Sequence, residues 1–73
     1  MRQNLKKARI EAGLTQEQIA EKLGITLRQY QRMEAGTSTG SFRHWDALED
    51  LLEVHQRKLR EIQDIRHDKG ENQ

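Results

Sequence analysis

Two copies of one helix-initiating motif lie eleven residues apart in the first half of this 73-residue chain. Thr15-Gln16-Glu17-Gln18 and Thr26-Leu27-Arg28-Gln29 each place a threonine three residues before a glutamine. In such a capping box, the threonine hydroxyl accepts a hydrogen bond from the glutamine amide, and the glutamine side chain accepts one from the threonine amide. Gly24, between the two motifs, suits the left-handed end of a helix. The pattern predicts two short helices, 16–23 and 27–35, joined by a tight turn.

The remaining segments are also typical of helices. Apolar residues at helical spacing predict an amphipathic first helix over 2–12. The same spacing continues over 42–67, which is either one long helix or two helices broken near Glu53–His55. No stretch alternates in the manner of a half-buried β-strand. We therefore expect an all-α domain over 1–67, followed by a frayed tail over 68–73.

The composition excludes several classes of protein. A chain of this length forms at most one domain, and the absence of cysteine excludes disulfides, thiolate zinc sites and iron–sulfur clusters. No apolar run exceeds two residues, so we expect a soluble, cytoplasmic protein without a membrane span or signal peptide. The sequence has no glycine-rich phosphate loop, no nucleophile–base pair, and three histidines without metal-ligand spacing. We expect no enzymatic activity, no cofactor and no metal.

The charge is distributed unevenly although the net charge is only +1. Residues 1–36 carry seven basic residues against four acidic ones, whereas residues 37–73 carry six against eight. Between Lys22 and Met33 there are three basic residues and no acidic one. A small domain with one basic element suits a polyanionic partner, although a solvated helix face often has a similar composition.

The run GLTQEQIAEKLGIT, from Gly13 to Thr26, is followed by Tyr30-x-x-Met33-Glu34-x-Gly36. This sequence resembles the phage repressor and Cro-like helix-turn-helix family of transcriptional regulators, specifically over 5–36 and more loosely over 41–62. The resemblance implies a compact, lambda-repressor-like bundle of four or five helices, here with a helical C-terminal extension. It places the helix-turn-helix unit at 16–35 and implies a sequence-specific regulator that binds double-stranded DNA.

The resemblance also implies which residues contact DNA. The helix 27–35 is expected to enter the major groove and to contact base edges through Leu27, Arg28, Gln29 and Arg32. Arginine suits guanine, glutamine suits adenine, and leucine suits a thymine methyl group. Contacts to phosphates are expected from Gln16, Thr15, Thr26, Thr37, Ser38, Thr39 and Arg43. For the base-contacting residues, the alternative is an ordinary solvated helix face.

The loop 37–40 departs from the family pattern, because it carries no charge where Lys or Arg is common. Phosphates would therefore be held there by hydroxyls and amides, and we expect modest affinity. Arg9 and Glu34 match a pair that links the first helix to the end of the recognition helix in the family. We expect this pair to be a partly buried ion pair.

A single recognition helix contacts too few base pairs to stand out in a genome, so we expect a homodimer on a palindromic operator. The C-terminal third offers apolar residues for pairing, and the predicted dimer interface consists of Leu52, Leu59, Ile62 and Ile65. The alternative is that this stripe folds back onto the core of its own chain.

The leading interpretation is a phage-type repressor or a controller protein of a mobile element. Two alternatives remain: an antitoxin-like protein-interaction module with secondary DNA binding, and an adaptor that has kept the fold and lost DNA binding. Arg28 and Arg32, which have no acidic neighbours in the sequence, favour DNA binding over the adaptor. The segment 66–73 is too short and polar to favour a partner-binding tail.

Overall fold

The computed structural model describes residues 1–62, and every regular element in that part of the chain is an α-helix. The helices, in chain order, are α1 Gln3–Glu11, α2 Gln16–Leu23, α3 Leu27–Ala35, α4 Phe42–Leu52 and α5 Gln56–Arg60. The predicted all-α fold is confirmed, and α2 and α3 have the predicted bounds. None of the helices in the described range is long and apolar enough to cross a lipid bilayer.

Local interactions define the ends of α2 and α3. The Thr15 hydroxyl accepts a hydrogen bond from the Gln18 amide at 3.0 Å, and the Gln18 side chain accepts one from the Thr15 amide at 2.9 Å. Thr26 and Gln29 form the second capping box with the same two distances. Gly24 ends α2 with a φ of 74°, a conformation that glycine adopts without steric cost. Each signal acts within four residues, which is why the sequence predicts these bounds.

The segment that could be one helix or two is divided in its described part. Helix α4 ends at Leu52, and its C-cap residue Glu53 has a left-handed φ of 57° although it is not glycine. Helix α5 then begins after His55 and ends at Arg60, with Glu61 already extended. Within the described residues, the helix predicted to continue toward 67 therefore ends at Arg60.

The early end of α5 has a tertiary cause. The Asn4 side chain donates to the Lys58 carbonyl at 3.2 Å, and the Arg2 Nε donates to the Arg60 carbonyl at 3.0 Å. The Arg60 carbonyl thus finds its partner at the N-terminus of the chain, and the Lys58 carbonyl accepts both from Asn4 and, at 3.2 Å, from the Glu61 amide. The predicted helical residues 63–67 and the predicted frayed tail lie outside the described residues.

All five helices contribute to one core. Helices α2 and α3 pack against each other, α5 packs against α1 and α4, and α1 also contacts α3. The buried apolar residues are Leu5, Ala8, Ile19, Ala20, Tyr30, Met33, Trp45, Leu48, Leu52 and Leu59. The core therefore packs against one face of α2 and α3, and the opposite face of α3 is exposed.

The core includes two residues that the sequence analysis assigned to a dimer interface. Leu52 is 9% exposed and Leu59 is 0% exposed within the single chain, because α5 folds back onto α1 and α4. Both side chains are thus packed inside their own chain, as the folded-back alternative predicts for Leu59, and their assignment to a dimer interface stays a prediction. Ile62 is 53% exposed, and Ile65 lies outside the described residues.

Candidate nucleic-acid interface

The outward face of α3 presents the four predicted base-contacting residues. Leu27 is 38% exposed, and Arg28, Gln29 and Arg32 are exposed as well. No carboxylate among residues 1–62 forms an ion pair with Arg28 or Arg32. The two guanidinium groups lie one helical turn apart on the same side, since side chains at i and i+4 share a face. The face is therefore basic and open.

Gln29 also has the predicted task of capping α3. Its Oε1 atom accepts the hydrogen bond from the Thr26 amide at 2.9 Å, which closes the capping box of α3. A bidentate contact with adenine requires both the oxygen and the NH₂ group of a glutamine side chain. In this structure the oxygen already accepts the capping hydrogen bond, which leaves it one lone pair for a base.

Behind the exposed face, Glu34 is the centre of a buried hydrogen-bond network. Arg9 Nε donates to Glu34 Oε2 at 2.8 Å, which is the predicted ion pair between α1 and α3. The Tyr30 hydroxyl donates to the same oxygen at 2.7 Å, and Gln16 Nε2 donates to Glu34 Oε1 at 2.9 Å. Arg9 Nη1 also donates to the Leu14 carbonyl at 2.9 Å. The network joins α1, the start of α2, and α3.

The network sets the protonation states of its members. Burial opposes the ionisation of Glu34, but hydrogen bonds from Arg9, Tyr30 and Gln16 outweigh it and hold the pKa of Glu34 below its ordinary value. The hydrogen bond to Glu34 raises the pKa of Arg9. Burial, together with the same carboxylate, raises the pKa of Tyr30. At neutral pH the network is therefore an ion pair with a protonated phenol.

The predicted phosphate-contacting side chains are mostly engaged within the protein. Gln16 binds Glu34, and the hydroxyls of Thr15 and Thr26 accept the capping hydrogen bonds but keep their own hydrogens for donation. Arg43 is exposed on the first turn of α4. These four residues lie at the N-termini of α2, α3 and α4.

The predicted loop contacts lie on a stretch of backbone that is tied to α3. The amides of Thr37 and Ser38 both donate to the Arg32 carbonyl, at 3.0 and 3.3 Å, and the Thr37 hydroxyl donates to it at 3.2 Å. The Ser38 hydroxyl accepts from the Gly40 amide at 3.3 Å. The exposed Thr39 hydroxyl has only a long contact, 3.4 Å, with the Gly40 carbonyl. Of the three hydroxyls, that of Thr39 is the least engaged.

Arg2 is a residue that the sequence analysis missed. It is 4% exposed, its Nη1 atom donates to the carbonyls of Met33 at 2.6 Å and Ser38 at 2.7 Å, and its guanidinium lies 5.1 Å from the centre of the Trp45 ring. Burial, with a smaller contribution from Arg60, lowers its pKa. Its position three residues before Leu5, directly preceding α1 and in line with the inward face of that helix, is the signal that could have revealed it. Through these two hydrogen bonds, Arg2 links the loop 37–40 to the end of α3.

The geometry of α2 and α3 defines a class of protein. Two short helices joined at a glycine turn, with one face in the core and the other exposed and basic, are a helix-turn-helix unit of the DNA-binding type. Residues 5–55 match the model of the helix-turn-helix family of the Cro/C1 type, and the chain belongs to this family. The protein is accordingly a DNA-binding helix-turn-helix regulator. Comparison with curated proteins gives no match, and neither does comparison with solved structures.

Proposed function

We propose that the protein is a sequence-specific repressor of the phage or mobile-element type, which inserts α3 into the major groove of its operator. The observation that carries the proposal is the pair of exposed arginines, Arg28 and Arg32, on the outward face of a helix whose opposite face is held by the core and by the Glu34 network. Arginine is the side chain that most often makes specific contacts to guanine in the major groove.

Each residue of the face has a proposed task. Arg28 and Arg32 read guanine through two parallel hydrogen bonds, and Leu27 contacts a thymine methyl group. Gln29 donates to a base acceptor from its NH₂ group and keeps its oxygen in the capping box. Bidentate reading of adenine would require the Gln29 oxygen to accept from the base while it also caps α3, which restricts its orientation, so we expect this residue to discriminate less sharply than the arginines.

Contacts to phosphates would position the helix rather than select the sequence. The proposed donors are the hydroxyls and amides at the N-termini of α2 and α3, the guanidinium of Arg43, and the loop 37–39. Because that loop has no charged side chain of its own, fewer ionic phosphate contacts would form. We therefore expect a shallow dependence of affinity on salt concentration.

Selection of bound sequences from a random DNA pool, followed by titration of single variants, tests the proposal. Arg28→Ala or Arg32→Ala should each cost about 1–3 kcal/mol on the selected site and relax the preference at one base pair. Lys58→Ala, which removes the same charge from α5, is the control and should leave the preference unchanged. If both arginine variants keep the affinity and the preference of the wild type, the proposed face is wrong.

We also propose that the protein binds a palindromic site as a homodimer, with two α3 helices about 34–36 Å apart. Ile62 is the predicted interface residue that remains exposed in the described part of the chain. Sedimentation at several concentrations, with and without a palindromic site, should show weak pairing that tightens on DNA. Ile62→Asp should reduce the cooperativity of binding. Strict monomers that bind DNA one to one would contradict the proposal.

A further inference from the structure

A chain of side-chain hydrogen bonds leads from the exposed surface of α3 to the buried ion pair. Gln31, which is exposed, donates from Nε2 to Oε1 of Gln16 at 3.2 Å. Gln16, at the first position of α2, donates from Nε2 to Oε1 of Glu34 at 2.9 Å. Glu34 in turn is bound by Arg9 and Tyr30. Gln31 has no part in the proposed base contacts.

The direction of every donor in this chain follows from its buried end. The Glu34 carboxylate is ionised beside Arg9 and can only accept hydrogen bonds, so Gln16 must turn its NH₂ group toward it. The carboxamide oxygen of Gln16 then faces α3, where only a donor fits. Gln31 supplies that donor. The orientation of both amides is therefore set by the negative charge on Glu34.

We propose that Gln31 is a positioning residue for the DNA-backbone contact of Gln16. The inference rests on the proposed function, in which Gln16 meets a phosphate at the start of α2. Gln31 holds the Gln16 carboxamide oxygen, which carries a partial negative charge, toward α3 and away from the phosphate. It leaves the second hydrogen of the Gln16 NH₂ group and the α2 backbone amides as the donors. Gln31 acts on affinity for all sequences and does not read bases.

Two readouts test the positioning role, one of them without DNA. Gln31→Met keeps the length of the side chain and removes its hydrogen bonds, and it should shift the side-chain NH₂ resonances of Gln16 in the NMR spectrum of the free protein. Gln31→Lys restores a donor and should return those resonances toward the wild-type positions. Gln56→Met removes a hydrogen-bonded glutamine from α5 and should leave them unchanged.

With DNA, Gln31→Met should weaken binding about threefold to tenfold on the selected site and on unrelated DNA alike, as the loss of one hydrogen bond implies. Gln16→Met combined with Gln31→Met should bind no more weakly than Gln16→Met alone. Unchanged Gln16 resonances in Gln31→Met, or losses in the double variant equal to the product of the two single losses, would overturn the inference. A wild-type chain that binds no DNA would overturn both the proposed function and the positioning role. In that case the Gln16 resonances of the free protein would still show whether Gln31 is hydrogen-bonded to Gln16.

Discussion

Glu34 is the single residue on which the interior of the helix-turn-helix unit depends most. It accepts hydrogen bonds from three side chains that belong to all three N-terminal helices. A carboxylate buried in this way is stable only with its partners, because an unpaired buried charge is expensive to remove from water. The relation is mutual, since Arg9 and Gln16 lose their acceptor if Glu34 is replaced.

Glu34→Ala should therefore destabilise the domain by about 3–5 kcal/mol, a large part of the stability of a small domain. The reason is that the Arg9 guanidinium would stay buried without its counter-charge. Thermal unfolding followed by circular dichroism measures the loss, and Glu21→Ala on the exposed side of α2 is the control. A melting temperature within a degree or two of the wild type would show that the pair contributes nothing.

Acid should weaken the same network. Because the folded protein holds the pKa of Glu34 below its ordinary value of about 4.3, ionised Glu34 stabilises the fold fully above that pH. This contribution is lost as the pH falls through the lowered pKa of the folded state. The difference in unfolding free energy between the wild type and Glu34→Gln should be constant from pH 7 to about 5 and shrink below about 4. Glu21→Gln controls for net charge, and a constant difference down to pH 3 would refute the assignment.

At the scale of the elements, the loop between α3 and α4 packs closely against the Trp45 ring. Gly40 has a φ of 70°, and a Cβ atom at this position would lie 2.8 Å from the Trp45 indole nitrogen. That nitrogen donates to the Thr39 carbonyl at 2.8 Å, so the indole cannot move away without losing a hydrogen bond. Gly24 has a similar φ of 74°, but no atom within 4 Å of the corresponding Cβ position.

The two glycines form a matched pair for experiment. Gly24→Ala should cost about 1–2 kcal/mol for the left-handed conformation alone. Gly40→Ala should cost about 1–3 kcal/mol more, because it also forces Trp45 out of its packed position. Urea unfolding monitored by the fluorescence of Trp45, the only tryptophan, measures both losses. Equal losses of unfolding free energy in the two variants would mean that the loop accommodates the methyl group of Gly40→Ala without additional destabilisation.

For the molecule as a whole, the short helix α5 closes the core. Its one buried residue, Leu59, is fully enclosed between α1 and α4, whereas Ile62, three residues later, is half exposed. A domain of this size buries little surface in total, so each core leucine carries a large share of the stability. Helix α5 thus completes the core of a single chain.

Leu59→Ala should cost about 2–5 kcal/mol, and the loss should be the same at every protein concentration because the residue belongs to the core of the monomer. Ile62→Ala should change the stability of the isolated chain by less than about 1 kcal/mol. Thermal melts over a hundredfold range of concentration measure both. A loss for Leu59→Ala that appears only at concentrations where the wild type pairs would place this residue between two chains.

The sequence by itself determined the features that depend on near neighbours. The bounds of α2 and α3 follow from Thr15, Gln18, Thr26, Gln29 and Gly24, because capping boxes and left-handed glycine ends act over three or four residues. The Arg9–Glu34 pair was predictable only through the family resemblance, since the two residues are far apart in the chain. The exposed basic face of α3 followed from charge spacing and the same resemblance.

Only the tertiary structure decided the rest. The end of α5 at Arg60, the burial of Leu59 and the enclosure of Arg2 depend on contacts between the two ends of the described chain, which no local pattern encodes. The orientation of Gln16 depends in the same way on a carboxylate eighteen residues away. Local hydrogen bonds thus set where the DNA-facing helices begin and end, whereas long-range burial and charge set which of their polar groups remain free to bind.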